Sequence, residues 1–150
     1  MPLSRLPMPV VLDANLALYA LNSSAPQQEA VLELFTRWRE RGRLLTAPSL
    51  WRLEVASGLR KNASLGFLSN AEAEALLDLF LSWNVRIYPS DADLVLRAFS
   101  WAERIGERVI YDSVYLALAE RIGGEFWTAD ARFARRARQA GVDFVKLLGE

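Results

Sequence analysis

Pro9-Val10-Val11-Leu12-Asp13-Ala14-Asn15 is a short apolar run that stops on a carboxylate. Bounded in this way and followed by a helical pattern, it reads as a buried strand with an acid at its carboxyl end. The arrangement returns at Phe126-Trp127-Thr128-Ala129-Asp130. Further β-prone runs lie at about residues 44–46, 85–88 and 144–147. The stretches between them repeat at helical spacing: about 15–21, 27–41, 49–65, 70–83, 91–105, 112–121 and 131–140. Ser69-Asn70-Ala71-Glu72 reads as a capping box and Ser90 as the cap of the helix after it. Strands alternating with helices imply a parallel sheet covered on both faces. In such sheets ligands gather beyond the carboxyl ends of the strands, where Asp13 and Asp130 fall.

Two further acids stand where apolar sequence would normally exclude them. Glu54 interrupts Leu50-Trp51-Arg52-Leu53-Glu54-Val55-Ala56 and shares a helical face with Leu50, Trp51, Ser57 and Gly58. The small residue one turn on is expected to leave room for an ion or a phosphate. Asp112 opens a helix that is apolar all round from Val114 to Ala119, so its carboxylate is expected to point into the fold. Asp78 is the contrast: it belongs to a polar stripe with Glu74 and Ser82. Burying one lone carboxylate costs several kcal/mol, whereas carboxylates gathered around a divalent cation are satisfied. Each acid has a plainer alternative. Asp13, Asp112 and Asp130 would suit helix N-caps, and Glu54 could meet a buried arginine. All four alternatives would have to hold together to dissolve a metal site.

Composition removes competing chemistry. The 150 residues include no histidine and no cysteine. That excludes Ser-His and Cys-His nucleophilic pairs, zinc sites with N and S ligands, histidine acid–base ribonuclease chemistry and disulfides. Hydrophobic residues make up 52% of the chain, which fits one domain spanning residues 1–150, with residues 1–8 as an irregular extension and Met8 as an alternative start. No apolar run approaches the ~20 residues of a membrane helix, so a cytoplasmic address and no membrane partner are expected. Formal net charge is zero. Four acids neutralised by bound metal would leave the remaining surface basic, and that basic character is almost wholly arginine. Arg132, Arg135 and Arg136 are candidate contacts to a phosphate backbone, the plain alternative being a solvated helix face.

The succession Val11-Leu12-Asp13-Ala14-Asn15, then Ala47-Pro48-Ser49-Leu50-Trp51-Arg52-Leu53-Glu54-Val55, then Tyr111-Asp112-Ser113-Val114-Tyr115-Leu116-Ala117-Leu118-Ala119, then Thr128-Ala129-Asp130 resembles the PIN-domain nucleases. It is most similar to the VapC-type toxins of toxin–antitoxin pairs, over about residues 10–147. The resemblance implies a three-layer α/β/α fold with a five-stranded parallel sheet in the order 3-2-1-4-5. It further implies an endoribonuclease dependent on Mg²⁺ or Mn²⁺, whose metal and catalytic residues are Asp13, Glu54, Asp112 and Asp130, with Asn15 and Thr128 in support. Water activated at the cation would hydrolyse structured RNA, leaving 3′-hydroxyl and 5′-phosphate ends. A cognate antitoxin and a second copy of the chain are the implied protein partners. Because Trp51 shares a face with Glu54, the antitoxin groove is expected on the two helices spanning Leu50 to Trp83, with Leu50 and Trp51 in it. Two rival readings remain: phosphotransfer through an aspartyl-phosphate at Asp13, and a non-catalytic PIN-like binding module. The first needs a lysine near Asp13, and neither Lys61 nor Lys146 follows a strand at that edge.

Overall fold

The structure, a computed structural model, describes residues 7–150. The extension expected at residues 1–8 lies outside it except for residues 7 and 8, which have no regular structure. The described elements are β1 (Val10–Leu12), α1 (Ala14–Leu21), α2 (Gln28–Glu40), β2 (Leu45–Pro48), α3 (Leu50–Ser64), α4 (Asn70–Leu81), β3 (Arg86–Tyr88), α5 (Ala92–Ile105), α6 (Tyr111–Ile122), β4 (Glu125–Thr128), α7 (Ala131–Gln139) and β5 (Val145–Leu147). All strand pairs are parallel, in the order β3-β2-β1-β4-β5. The chain lays β2 and β3 on one side of β1 and β4 and β5 on the other, so strand order reverses between β1 and β4. That is the sheet's switch point.

Val10, Val11 and Leu12 expose no surface, which a strand achieves only when both faces of its sheet are covered. Helix α6 lies across β1, β2 and β4, and its residues from Val114 to Ala119 are all buried. Gly123, with φ of 68°, ends α6 in the left-handed conformation that glycine adopts without penalty. The capping box of Ser69 and Glu72 is present at the start of α4. The cap of α5 is Asp91 rather than Ser90: the Leu94 amide donates to Asp91 Oδ1, while the Ser90 hydroxyl lies 3.3 Å from that of Ser49.

Gly58 corrects one sequence expectation. A Cβ there would come within 2.6 Å of Leu18 Cδ1, so the glycine makes room for α1 to close against α3 rather than for an ion. That closeness brings the start of α1, at Asp13, toward Glu54. Trp51 corrects another. It is 1% exposed and packs against Phe80 at 4.5 Å and Trp83 at 6.4 Å, within an aromatic cluster that continues through Phe35 and Trp38 to Trp127. Trp51 is core and cannot line an open groove, and Leu50 beside it is half-buried.

Gly124 sets the spacing of the two strands that matter most. A Cβ at that position would lie 2.6 Å from the carbonyl oxygen of Pro9, the same oxygen that accepts the Glu125 amide at 2.9 Å. Backbone cannot swing aside as a side chain can. Gly124→Ala is therefore expected to lower stability by about 1–3 kcal/mol, the usual range for forced overpacking, read as a reduced urea midpoint. A wild-type midpoint would show that the β1–β4 spacing is not constrained there.

Candidate functional site

β1 and β4 run in register, Leu12 opposite Trp127, so Asp13 and Thr128 leave the sheet side by side. The Asp13 amide extends the ladder by donating to Trp127 O at 3.1 Å. The Thr128 hydroxyl, fully buried, donates to Asp13 Oδ2 at 2.6 Å and accepts from the Asp130 amide at 3.0 Å. One hydroxyl thus ties the ends of both strands together. Asp13 occupies the N-cap position of α1 but makes no side-chain capping bond. Asp130 does cap its helix: the Phe133 amide donates to Oδ1 at 3.0 Å, which leaves Oδ2 free of such a bond.

Glu54 and Asp112 arrive from the helices. Glu54 is half-buried in the middle of α3, and Tyr115 donates its phenol hydrogen to Oε1 at 2.6 Å. Asp112 lies in the first turn of α6, whose N-cap is Ile110, so it is not a cap. Among the described residues none of the four acids forms a salt bridge. The buried arginine that would have explained Glu54 is absent from that set.

The electrostatics set this cluster apart. Burial pushes the Asp13 carboxyl up to about 7; the Thr128 hydrogen bond opposes the rise, while the charges of Asp112 and Glu54 add to it. Asp112 is pushed up to about 6, by desolvation and then by Glu54, Asp130 and Glu107. As a residue Asp112 is exposed, so of these causes the repulsion, which needs only proximity, is the firmer one. Two acids away from this group go the other way. Asp91 is lowered by the Leu94 amide and by Arg121, and Glu150 by Arg138. Oxygen donors of one sign, with no cationic side chain among them, suit a hard divalent cation. As the side chains stand, no group of three or more among the described residues is close enough to hold a metal ion.

Other sequence candidates separate. Asn15 is exposed and makes no side-chain hydrogen bond among the described residues. Arg136 is occupied by structure, donating to Glu107 at 3.1 Å and to the carbonyls of Ile105 and Gly106, so it fastens α7 to the end of α5 rather than facing a phosphate. Arg132 and Arg135 are exposed on α7, just beyond Asp130, and form no ion pair among the described residues. Tyr115 is the residue that sequence reasoning passed over. Its signal was a phenol hydroxyl inside an otherwise apolar helix, which must find a partner when buried.

The family model described as PIN domain matches residues 10–139. Ribonuclease VapC3 of Pyrobaculum aerophilum is 33% identical over 135 residues, covering 86% of this chain and 95% of that protein. Among solved structures, VapC20 of Mycobacterium tuberculosis, described as a sarcin-ricin loop cleaving toxin, aligns with a TM-score of 0.67 at 19% identity, over 84% of this chain and 93% of that one. A toxin–antitoxin complex from Klebsiella pneumoniae aligns with a TM-score of 0.66 at 16% identity, over 94% and 98%. Those two likenesses speak to the fold.

A carboxyl raised above its unfolded value binds more protons folded than unfolded, so its contribution to stability is lost as pH rises from the unfolded value toward the folded one. For Asp13 that window runs from 3.8 to about 7. In EDTA, wild type should therefore lose stability relative to Asp13→Asn as pH rises from 4 to 7, by an amount on the order of 4 kcal/mol at most. Parallel melting curves for the two proteins across that window would show that Asp13 is not under such stress.

Proposed function

The chain belongs to the PIN-domain family as a VapC-type ribonuclease, and from that premise we propose that Asp13, Glu54, Asp112 and Asp130 form its divalent-metal and catalytic centre, with Mg²⁺ or Mn²⁺ as the ion. The observation that carries this reading is Asp13: a buried carboxylate at the sheet's switch point, pushed up to about 7 and, among the described residues, without a salt bridge to balance it. When bound, a divalent cation supplies the positive charge that makes hydroxide available near neutral pH and offsets charge building on the phosphate. The protein's own part is positional. Thr128 fixes Asp13 against the end of β4, the α7 cap fixes Asp130, and Tyr115 holds Glu54. Glu54 and Asp112 stand ready to orient the attacking water and to accept its proton.

The substrate in this reading is a single-stranded loop of a structured RNA, whose backbone can reach a recessed centre. Arg132 and Arg135, exposed beyond Asp130 and without an ion pair among the described residues, are its candidate phosphate contacts. An RNA substrate fits action in the cytoplasm; no helix among the described residues is long and apolar enough to cross a membrane. A toxin role brings an antitoxin as partner. With Trp51 in the core, the groove we assign to it is the concavity of about 730 Å³ between α1, α3 and α4, walled by Leu18, Leu59 and Leu76 and overhung by Phe67, which is 75% exposed. Val95, Leu96 and Phe99, all exposed on α5, form the strip we assign to a second copy of the chain.

Purified protein should cut RNA with Mg²⁺ or Mn²⁺, stop with EDTA, and leave 5′-phosphate ends. Asp13→Asn or Glu54→Gln should lower the rate by more than the ~10–100-fold that loss of an outer-sphere hydrogen bond costs. Cleavage that survives chelation, or a 2′,3′-cyclic phosphate product, would overturn the mechanism. For the groove, Phe67→Ser should weaken binding of the cognate antitoxin while RNA cleavage stays at the wild-type rate. Undiminished antitoxin affinity would remove the groove from the reading.

A further inference from the structure

We propose that Tyr115 is a positioning residue of the nuclease centre, its hydroxyl holding Glu54 Oε1 so that Oε2 is the oxygen left to serve the cation and the attacking water. The proposal rests on the metal-centre reading above and names a residue outside the four acids. Its basis is geometric. The phenol oxygen lies 2.6 Å from Glu54 Oε1, within the short range of an O–H donor to a carboxylate. Among the described residues this is the one side-chain hydrogen bond between α3 and α6. Glu54 comes from the first of these helices and Asp112 from the second, so the bond joins the two helices that bring acids to the site.

The donor itself is fixed. Tyr115 has no exposed surface, and its ring stacks on Phe126 of β4 with centroids 5.6 Å apart and planes 24° apart. Phe126 in turn meets Phe133 of α7 edge-on at 6.0 Å. The hydroxyl therefore cannot follow Glu54 if that side chain changes rotamer. Glu54 is half-buried, and a glutamate not held in this way has several rotamers to sample, which an ion would have to restrict on binding. Tyr115 also stands three residues from Asp112 on α6, so the two lie on neighbouring parts of one helix face.

A merely structural phenol predicts something different. If Glu54 only satisfies a buried hydroxyl, Tyr115→Phe changes stability and leaves ion affinity untouched, because the ring packing is kept. If Tyr115 positions Glu54, the same change weakens Mn²⁺ binding to metal-free protein by roughly 10–100-fold and lowers kcat with KM nearly constant. The decisive experiment is a Mn²⁺ titration, followed by electron paramagnetic resonance, of wild type, Tyr115→Phe, Glu54→Ala and the double variant. The loss from Tyr115→Phe should vanish in the Glu54→Ala background, since an effect that acts through Glu54 has nothing left to act on. Glu54→Asp, which keeps the charge but shortens its reach, should reproduce the Tyr115→Phe loss and serves in its place if the latter does not fold. Wild-type Mn²⁺ affinity in Tyr115→Phe or in Glu54→Asp, with Glu54→Ala weakened, would overturn the role of Tyr115 alone. Absence of Mn²⁺ binding in wild type, or full affinity in Glu54→Ala, would overturn the metal centre and this proposal with it.

Discussion

A carboxylate buried at the end of the central strand, among others of its own sign, is the constraint on which the rest of this structure depends. Asp13 follows β1, the strand with no exposed surface, so it has little water of its own. The chain gives it partial relief from several directions. Thr128 donates one hydrogen bond, and three of the four acids stand at the first turns of helices, Asp13 at α1, Asp112 at α6 and Asp130 at α7. A helix N-terminus offers a nearby anion ~0.3–1 kcal/mol. The upward displacement of Asp13, from 3.8 to about 7, corresponds to something on the order of 4 kcal/mol. Helix dipoles of that size do not close the gap, and no arginine or lysine among the described residues pairs with the cluster. A proton held on Asp13 and a bound divalent cation are the remaining physical means of satisfying it, and the proposed function takes the second.

Much of the fold was legible because its signals were local. The β1 and β4 boundaries follow from apolar runs that stop on polar residues, and the capping box at Ser69 and Glu72 formed as read. Strands alternating with helices gave a parallel sheet, and the order β3-β2-β1-β4-β5 is the one the family resemblance implied. Among the site residues, Asp13 and Thr128 were legible for the same reason: strand ends at a switch point are near one another in any fold of this class.

Apart from the cap of α5, which lies one residue on at Asp91, the misreadings concern side-chain partners, which depend on elements distant in sequence. Trp51 shares a helical face with Glu54, but only α4 and the residues after it, through Phe80 and Trp83, decide that this face is closed. Gly58 looked like space for an ion; its neighbour is Leu18, from a helix forty residues earlier in the chain. Arg136 stood in a run of arginines that pattern alone cannot divide, and the turn after α5 claims it. Asp130 is a cap through Oδ1, the plainer alternative weighed for it, and its charge also raises Asp112. Tyr115 went unnoticed because an apolar helix was taken as core throughout, and its hydroxyl meets a residue 61 positions away.

The most direct measurement of the central claim counts protons. If Asp13 holds a proton near neutral pH in the metal-free protein and is a ligand in the bound one, ion binding must drive that proton off. Calorimetric titration of metal-free protein with Mn²⁺ at pH 6.5, in buffers of different ionisation enthalpy, should show close to one proton released per site from wild type and much less from Asp13→Asn. Binding without proton release from wild type, or release undiminished in Asp13→Asn, would contradict the account of the cluster as a divalent-cation centre built around Asp13.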